Sequence, residues 1–420
     1  MKNLFRTFLL FTLFFFITNL YSQSEHKLSA SFDCEQLISS SDCANAIIIK
    51  ANGKINFTCT PDGYGEELEI KNNSPKSVYF EKEHNTVWLK FKALKDGFLA
   101  FKLVPNNFTY DYDYTLFKTE SDSQCERIIN KSIQPIRANN SRNNKDEMSV
   151  TGLSMMAGSD FVPSGIGNHL SKAIKVVKGE LFILVIDNVY KGNEGFSLRF
   201  EYLEVKTIEG EIRDEQTGEP IKANVTWENK KTGEILATST SNPIDGKFKL
   251  EAPVYVNNPN AEFTLSTYIN NYFFKEIFIK TKDIETIYTE PIKIVLPKLE
   301  KGKKMRLHNI NFHGDLATIY PTSKPSLKRL KKLMKLNPSL NILIEGHTNG
   351  LITNQIEISR SQILSEQRAE AVKSYLMENN ISDKRIRTIG YNSSRMLFPE
   401  MRNLKETHQN RRVEILVTGY

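Results

Sequence analysis

The alternation of apolar and polar residues divides the chain into three stretches. From about residue 24 to 205, short runs alternate with a period of two and are separated by Asn, Gly, Asp and Pro; residues 87–93 and 98–104 are examples, and 180–186 is more continuously apolar. Period-two alternation places successive side chains on opposite faces of a strand. This stretch is therefore predicted to be an all-β sandwich.

Residues 206–297 continue in short apolar runs, but turn-forming pairs such as Thr217-Gly218 and Asp245-Gly246 separate them. These pairs supply the positive φ angles that tight connections require. With EGEIRD at 209–214 and DGKFKL at 245–250, the segment resembles the carboxypeptidase-regulatory-like module. The resemblance implies a seven-stranded β-sandwich of transthyretin type that acts as a spacer or contact surface.

Beyond residue 305 the apolar spacing changes to three and four, which is typical of helices. A charged stretch, KLEKGKK at 298–304, precedes this region and is predicted to be a solvated basic linker. The pattern predicts helices at 323–336 and 358–378, and strands at 307–312, 340–345, 386–390 and 412–417. The prediction is a multidomain chain in which two all-β sandwiches precede an α/β sandwich domain at 305–420, with helices on one face of a mixed sheet.

Three motifs in this last region occur in a fixed order: IEGHTNG at 344–350, LSEQRA at 364–369 and NRRVEI at 410–415. Together they resemble the OmpA-like peptidoglycan-binding domain. The resemblance implies a pocket that grips the diaminopimelate residue of the peptidoglycan stem peptide, which presents an ammonium and a carboxylate at one carbon. We therefore expect a fixed cation beside an acceptor group.

The resemblance also implies roles for single residues. Arg368 falls where the family places the arginine that pairs with the ligand carboxylate, through two parallel hydrogen bonds. Asn349 stands where the family has an aspartate, which weakens the hold on the ammonium, and Asp315 is a candidate for the missing charge. The other expected site residues are Thr348, Arg411 and Arg412, of which one arginine is expected in the pocket and the other in a surface pair.

A metal site is the weaker interpretation of the histidines in this region. His313 and His347 come without a third ligand at a defined spacing, so a structural role is favoured and no metal or other cofactor is expected. In the first stretch, which resembles exported jelly-roll sandwiches, Asp111, Asp113 and Asp187 are calcium candidates. Ordinary acidic residues at strand ends are the favoured explanation.

The N-terminus indicates export. Lys2 and Arg6 precede an apolar run at 8–17, and small or polar residues follow, so residues 1–23 are predicted to be a secretory signal peptide. The first cysteine is Cys34, past any cleavage site, so no lipoprotein anchor is expected. The expected location is the periplasm, in association with the cell wall and outer membrane.

All four cysteines lie in the first third: Cys34, Cys43, Cys59 and Cys125. In an oxidising compartment this number predicts two disulfides, with three connectivities open. Metal binding is less favoured because the spacings contain no C-x-x-C element.

The function predicted from the sequence is non-enzymatic. No nucleophile elbow, zinc-protease motif or phosphate loop is present, and the formal charge of +7 comes without a nucleic-acid module. The leading hypothesis is a protein that binds peptidoglycan and tethers outer-membrane or surface machinery through an envelope protein partner. The alternative is a cell-surface adhesin or glycan-binding protein that acts through its N-terminal jelly roll.

Overall fold

The computed structural model describes residues 31–70, 80, 82–121, 124–142, 149–166, 168–191, 194–256, 258–287, 290–350 and 354–420. The predicted signal peptide lies outside these residues. The chain divides into two compact units, Met1–Leu203 and Glu204–Tyr420. None of the helices in the described ranges is long and apolar enough to span a membrane.

The first unit is built from strands, as its period-two pattern predicts. One sheet has the order β1-β3-β13-β5-β8-β10, with β11 also paired to β5, and the other has the order β2-β4-β12-β6-β7-β9. The strands are β1 Ser31–Phe32, β2 Ile47–Ile48, β3 Gly53–Phe57, β4 Thr86–Lys92, β5 Gly97–Pro105, β6 Tyr112–Thr119, β7 Arg137–Arg142, β8 Thr151–Ser154, β9 Phe161–Ile166, β10 Leu170–Lys172, β11 Ile174–Val176, β12 Leu181–Asn188 and β13 Phe196–Asp214, with short helices α1 Cys34–Ile38 and α2 Cys125–Ile129.

Two disulfides are present in this unit, as the cysteine count predicts: Cys34–Cys59 and Cys43–Cys125. They leave no free cysteine among the described residues. Cys43 is fully buried and packs in a core cluster with Trp88. The second bridge therefore joins the segment before β2 to α2 through the middle of the apolar core.

Asp187, one of the calcium candidates, is fully buried and already bonded within the protein. One of its carboxylate oxygens accepts hydrogen bonds from the backbone N–H groups of His84 and Asn85, at 2.7 and 2.9 Å, and the other lies 2.7 Å from His84 Nδ1. Asp113 is its cross-strand neighbour. The bonds of Asp187 favour a structural role over calcium ligation.

The second unit begins with a sandwich whose strands surround Trp227. A four-stranded sheet has the order β15-β14-β17-β18, and the end of β13 pairs with β16 and β19. Trp227 is fully buried, and its indole N–H donates to Pro253 O at 2.8 Å. The elements are β14 Asn224–Asn229, β15 Ile235–Thr240, β16 Lys247–Tyr255, β17 Glu262–Tyr268, β18 Lys275–Lys280, α3 Thr281–Ile287 and β19 Ile292–Leu296.

The remainder of this unit is an α/β domain with a mixed sheet of order β20-β23-β21-β22, in which only β21 and β22 are parallel. Leu330, Leu333 and Met334 of helix α4 and Val372 and Leu376 of helix α5 join its core. The elements are β20 Lys304–Leu307, α4 Lys324–Leu336, β21 Asn341–Gly346, α5 Gln355–Glu378, β22 Ile386–Gly390, α6 Leu404–Asn410 and β23 Val413–Gly419.

Two sequence predictions in this region are wrong. The strand expected at 307–312 lies earlier, at Lys304–Leu307, because Asn309 adopts a left-handed conformation (φ 58°) that ends the extended chain. The segment expected to be a solvated linker is anchored at two points, although Lys301 and Lys304 are exposed: Leu299 is 5% exposed in the core, and Gly302 N donates to Val417 O at 2.9 Å.

Sandwich and α/β domain share a core, since Phe273 and Phe274 belong to the same cluster as Leu327 and Leu330. Beside this core, Arg329 of α4 forms ion pairs with Glu228, at 2.6 Å, and with Glu276. All three side chains are nearly inaccessible to solvent, at 3%, 6% and 4% exposure respectively. Burial raises the pKa of Glu276, although the charge of Arg329 opposes the shift.

The two disulfides differ in the length of chain that they close, with separations of 82 residues for Cys43–Cys125 and 25 for Cys34–Cys59. Loop-closure entropy predicts that the first bridge stabilises the unit by about 4.5 kcal/mol and the second by about 3.5 kcal/mol. Denaturant unfolding of the two Cys→Ala double variants should rank them in this order. A greater loss for Cys34→Ala/Cys59→Ala would contradict the entropic account.

Replacing Arg329 with Met should destabilise the second unit by about 3–5 kcal/mol, because it leaves two buried carboxylates without a cation. The chain has two tryptophans, so a Trp88→Phe background lets Trp227 fluorescence follow this unit alone. Lys328→Met, on the exposed face of the same helix, is the matched control. Equal unfolding midpoints for the two variants would show that the ion pairs contribute nothing.

Candidate functional site

Close packing of α5 on the ends of two strands positions the predicted site. Gly346 ends β21 and Gly390 ends β22. A Cβ atom on Gly346 would collide with the carbonyl oxygen of Ser365, and one on Gly390 would collide with the Ser365 hydroxyl and the Glu366 backbone. Glycine at both positions therefore allows α5 to approach the sheet and holds the middle of the helix, which carries Arg368, beside the strand ends.

Arg368 is buried, at 4% exposure, against the loop that follows residue 311. Its Nε donates to Leu316 O at 3.1 Å and one terminal nitrogen to His313 O at 3.5 Å, and its guanidinium carbon lies 5.1 Å from the centre of the Phe312 ring. Burial, and then the charge of Arg411, lower the pKa of Arg368, while Asp315 acts in the opposite direction. The loop thus fixes a guanidinium whose hydrogen bonds go to carbonyl groups.

The predicted site residues line two cavities that share a wall. Arg368 and Arg411 line a cavity of about 490 Å³, and Asp315, Thr348 and Asn349 line one of about 640 Å³. Gly314 and Arg368 line the first cavity, and their chain neighbours Asp315 and Gln367 line the second. The two cavities therefore lie side by side. The cations and the acceptors are neighbours but do not face a single cavity.

The acceptor cavity contains the residue at which this chain departs from its motif. The Asn349 amide nitrogen lies 3.6 Å from Met401 Sδ, which leaves its side-chain carbonyl oxygen as the acceptor. Thr348 is 3% exposed, and its hydroxyl is bonded to that of Ser361. Asp315 is exposed at the cavity wall in a left-handed conformation (φ 51°), so a carboxylate is available there.

The consecutive arginines of the NRR motif have different environments. Arg411 is half-buried and lines the guanidinium cavity. Arg412 is 6% exposed: its Nε donates to Glu414 at 2.5 Å and a terminal nitrogen donates to Arg395 O at 3.1 Å. The second arginine therefore pairs in the interior, whereas the sequence predicts a surface pair. The side chain of Asn410 is fully buried; it accepts a hydrogen bond from the backbone N–H of Phe398 and donates one to the carbonyl oxygen of the same residue.

His347 belongs to the one group in the described part of the chain that could hold a metal ion, with Glu345 and Glu414; their ligand atoms lie within 4.8 Å of one another. Both carboxylates already have cations, since Lys304 Nζ lies 2.6 Å from Glu345 and Arg412 2.5 Å from Glu414. These ion pairs satisfy the carboxylates without a metal. Burial, followed by the charge of Arg412, lowers the pKa of His347 to about 4.

This low pKa predicts a loss of stability in mild acid. The imidazole binds a proton near its ordinary pKa of 6.5 in the unfolded chain and near 4 in the folded one. The stabilisation is therefore complete above about pH 6.5 and is lost as the pH falls to about 4, by roughly 3 kcal/mol at most. In the Trp88→Phe background, Trp227 fluorescence should show this slope when His347 is present and a shallower one in His347→Gln. Parallel pH profiles would refute it.

The structure adds residues that no motif indicates. His408 and Tyr320 line the guanidinium cavity, and Glu357 and Arg360 line the acceptor cavity. His408 lies on helix α6, and Tyr320 lies in the loop between β20 and α4. The apolar pattern predicts neither this helix nor this loop. The sequence between the first two motifs also predicts a polar extension at 351–357 beside the mouth of the pocket, and residues 351–353 of it lie outside the described residues.

Comparisons with known proteins match the C-terminal region. Residues 311–420 match the model of the OmpA family. Outer membrane porin F of Pseudomonas fluorescens is 32% identical over 111 residues, 26% of this chain and 32% of that protein. The peptidoglycan-associated lipoprotein of Buchnera aphidicola subsp. Baizongia pistaciae is 29% identical over 124 residues, 29% of this chain and 66% of that protein.

Among solved structures, the peptidoglycan-associated lipoprotein from Burkholderia pseudomallei aligns with 21% identity and a TM-score of 0.23, over 26% of this chain and 87% of that one. This chain spans about a third of the porin to which it is similar. The motifs at 344–350, 364–369 and 410–415 all fall within the matched region. The chain therefore carries a C-terminal OmpA family domain at residues 311–420.

Proposed function

We propose that the C-terminal domain binds peptidoglycan non-covalently through its stem peptides, and that the chain thereby tethers envelope machinery to the wall. One observation carries the proposal: in an OmpA family domain, Arg368 is buried beside a cavity, and its hydrogen bonds go to carbonyl groups. A buried charge requires a partner of opposite sign. A ligand carboxylate in the cavity supplies that partner.

The ligand chemistry fits the two cavities. A stem peptide with diaminopimelate carries an ammonium group and several carboxylates along its length, so groups of both charges are available on one chain. The guanidinium cavity suits the carboxylates, because a guanidinium binds a carboxylate through two parallel hydrogen bonds. The acceptor cavity, with Asp315 and the carbonyl oxygen of Asn349, suits the ammonium.

Asn349 sets the strength of the ammonium contact. An amide oxygen forms a weaker hydrogen bond to an ammonium than a carboxylate does, by about a factor of two in energy. Asp315, across the same cavity, supplies the negative charge in this account. The site is thus a weakened version of the family's pattern, with its charge moved from the strand end to the loop.

The tethering role concerns the rest of the chain. The OmpA family relatives include proteins named for the outer membrane and for peptidoglycan, which supports a location in the periplasm. The two β-sandwich regions offer surfaces for an outer-membrane or other envelope protein. Binding to the wall in this account requires no catalysis, and the two cavities recognise fixed groups on the polymer.

Sedimentation of the full chain with isolated peptidoglycan sacculi tests the proposal. Wild type should pellet, and Arg368→Gln should bind about tenfold to a hundredfold more weakly, because a charged hydrogen-bonded pair is lost. Asn349→Asp should pellet more strongly and Asp315→Ala less. Arg387→Ala removes an equal charge from an exposed strand position outside both cavities and should pellet as wild type does.

Wild type that stays in the supernatant would overturn the proposal. Equal binding by Arg368→Gln and Arg387→Ala would show that the buried guanidinium does not contact the wall. Trp227 fluorescence confirms that each variant is folded before its binding is compared, because that indole is buried in the same compact unit.

A further inference from the structure

The guanidinium cavity has more positive charge than one carboxylate can balance. Arg368 and Arg411 both line it, and Arg411 is close enough to lower the pKa of Arg368. None of its lining residues is an aspartate or glutamate; the others are Ile310, Asn311, Phe312, Gly314, Tyr320, Thr322 and His408. Two like charges thus face one space of about 490 Å³ that no carboxylate lines, and Asp315 acts on Arg368 only from the neighbouring cavity.

Arg411 has no neutralising partner in the part of the chain that the structure describes: no carboxylate lies within ion-pairing distance of its guanidinium. This contrasts with Arg412, the next residue, whose guanidinium is bonded to Glu414. Arg411 is half-buried, so water screens it less than a fully exposed cation. The fold therefore holds two charges of the same sign close together, which costs free energy until an anion enters.

The positive surface continues beyond this cavity. A second cavity of about 330 Å³ shares Ile310, Asn311, His408 and Arg411 with the first, and its further cations are Arg306, Lys405 and the paired Arg412. Its lining also contains no carboxylate. A peptide whose anionic end enters the first cavity therefore meets a favourable potential on both sides of Arg411.

We infer that Arg411 recognises the free carboxyl terminus of an uncrosslinked stem peptide, while Arg368 holds a second carboxylate of the same peptide. The inference rests on the proposed function and adds to it which stem peptides are bound. Two guanidiniums are balanced by two carboxylates, and the residue that follows diaminopimelate in a tetrapeptide ends in a carboxylate. Crosslinking through that carboxyl group converts it to a neutral amide. The site thereby distinguishes free peptide ends from crosslinks.

Calorimetric titration of the full chain with two synthetic peptides tests the inference. One peptide is the tetrapeptide L-Ala-γ-D-Glu-meso-diaminopimelate-D-Ala, and the other is the same peptide with a C-terminal carboxamide. Wild type should bind the carboxylate form at least about tenfold more tightly, because the amide removes one charge-assisted pair. In Arg411→Gln the carboxylate form should weaken by about the same factor, and the ratio of the two affinities should fall to about one.

Two controls define the effect. Arg387→Gln removes one positive charge from an exposed strand position outside all three cavities and should keep the ratio. Arg411→Lys keeps the charge but loses the bidentate geometry, and should give an intermediate ratio.

A wild-type ratio of about one, or a ratio that Arg411→Gln leaves intact, would overturn the inference while the proposed wall binding stands. Wild type that binds neither peptide but still pellets with sacculi would also overturn it. Loss of both peptide and sacculus binding in wild type would overturn the proposed function as well.

Discussion

The buried ion pairs of Arg329 with Glu228 and Glu276 determine how the α/β domain is attached to the preceding sandwich. A buried charge is costly unless its partner is correctly placed, so this arrangement disfavours other positions of helix α4 on the sandwich. The shared apolar core around Phe273 and Leu330 adds the non-directional part of the stabilisation. The domain that carries the cavities is therefore one body with its neighbour, which suits a protein proposed to bear a load at the wall.

The same electrostatic constraint distinguishes the structural cations of the OmpA family domain from those proposed to bind a ligand. Lys304 and Arg412 are paired with Glu345 and Glu414 beside the buried, neutral His347. Arg368 and Arg411 face a cavity whose lining has no carboxylate. Cations that the protein neutralises itself are part of the fold. Cations that form no ion pair among the described residues, in a space large enough for a ligand, are the ones expected to bind an anion.

Periodicity predicted the helices, and a motif singled out Arg368, because both signals depend on local sequence. The helix predicted at 323–336 is observed at Lys324–Leu336, and the cysteine count gave two disulfides. The remaining features depend on tertiary structure. In the sequence, Arg329 is one of several cations on a basic helix, and only the fold shows that the preceding sandwich supplies its two glutamates. The different environments of Arg411 and Arg412 follow from the end of α6 and the start of β23. The strand predicted at 307–312 failed because alternation alone does not show the left-handed turn at Asn309.

A crystal structure of the full chain with the diaminopimelate tetrapeptide bound would show directly where the ligand's charged groups lie. We expect a ligand carboxylate within hydrogen-bonding distance of the Arg368 guanidinium, and the ligand ammonium in the cavity of Asp315 and Asn349. A peptide bound elsewhere on the chain, or one whose ammonium occupies the guanidinium cavity, would contradict this expectation.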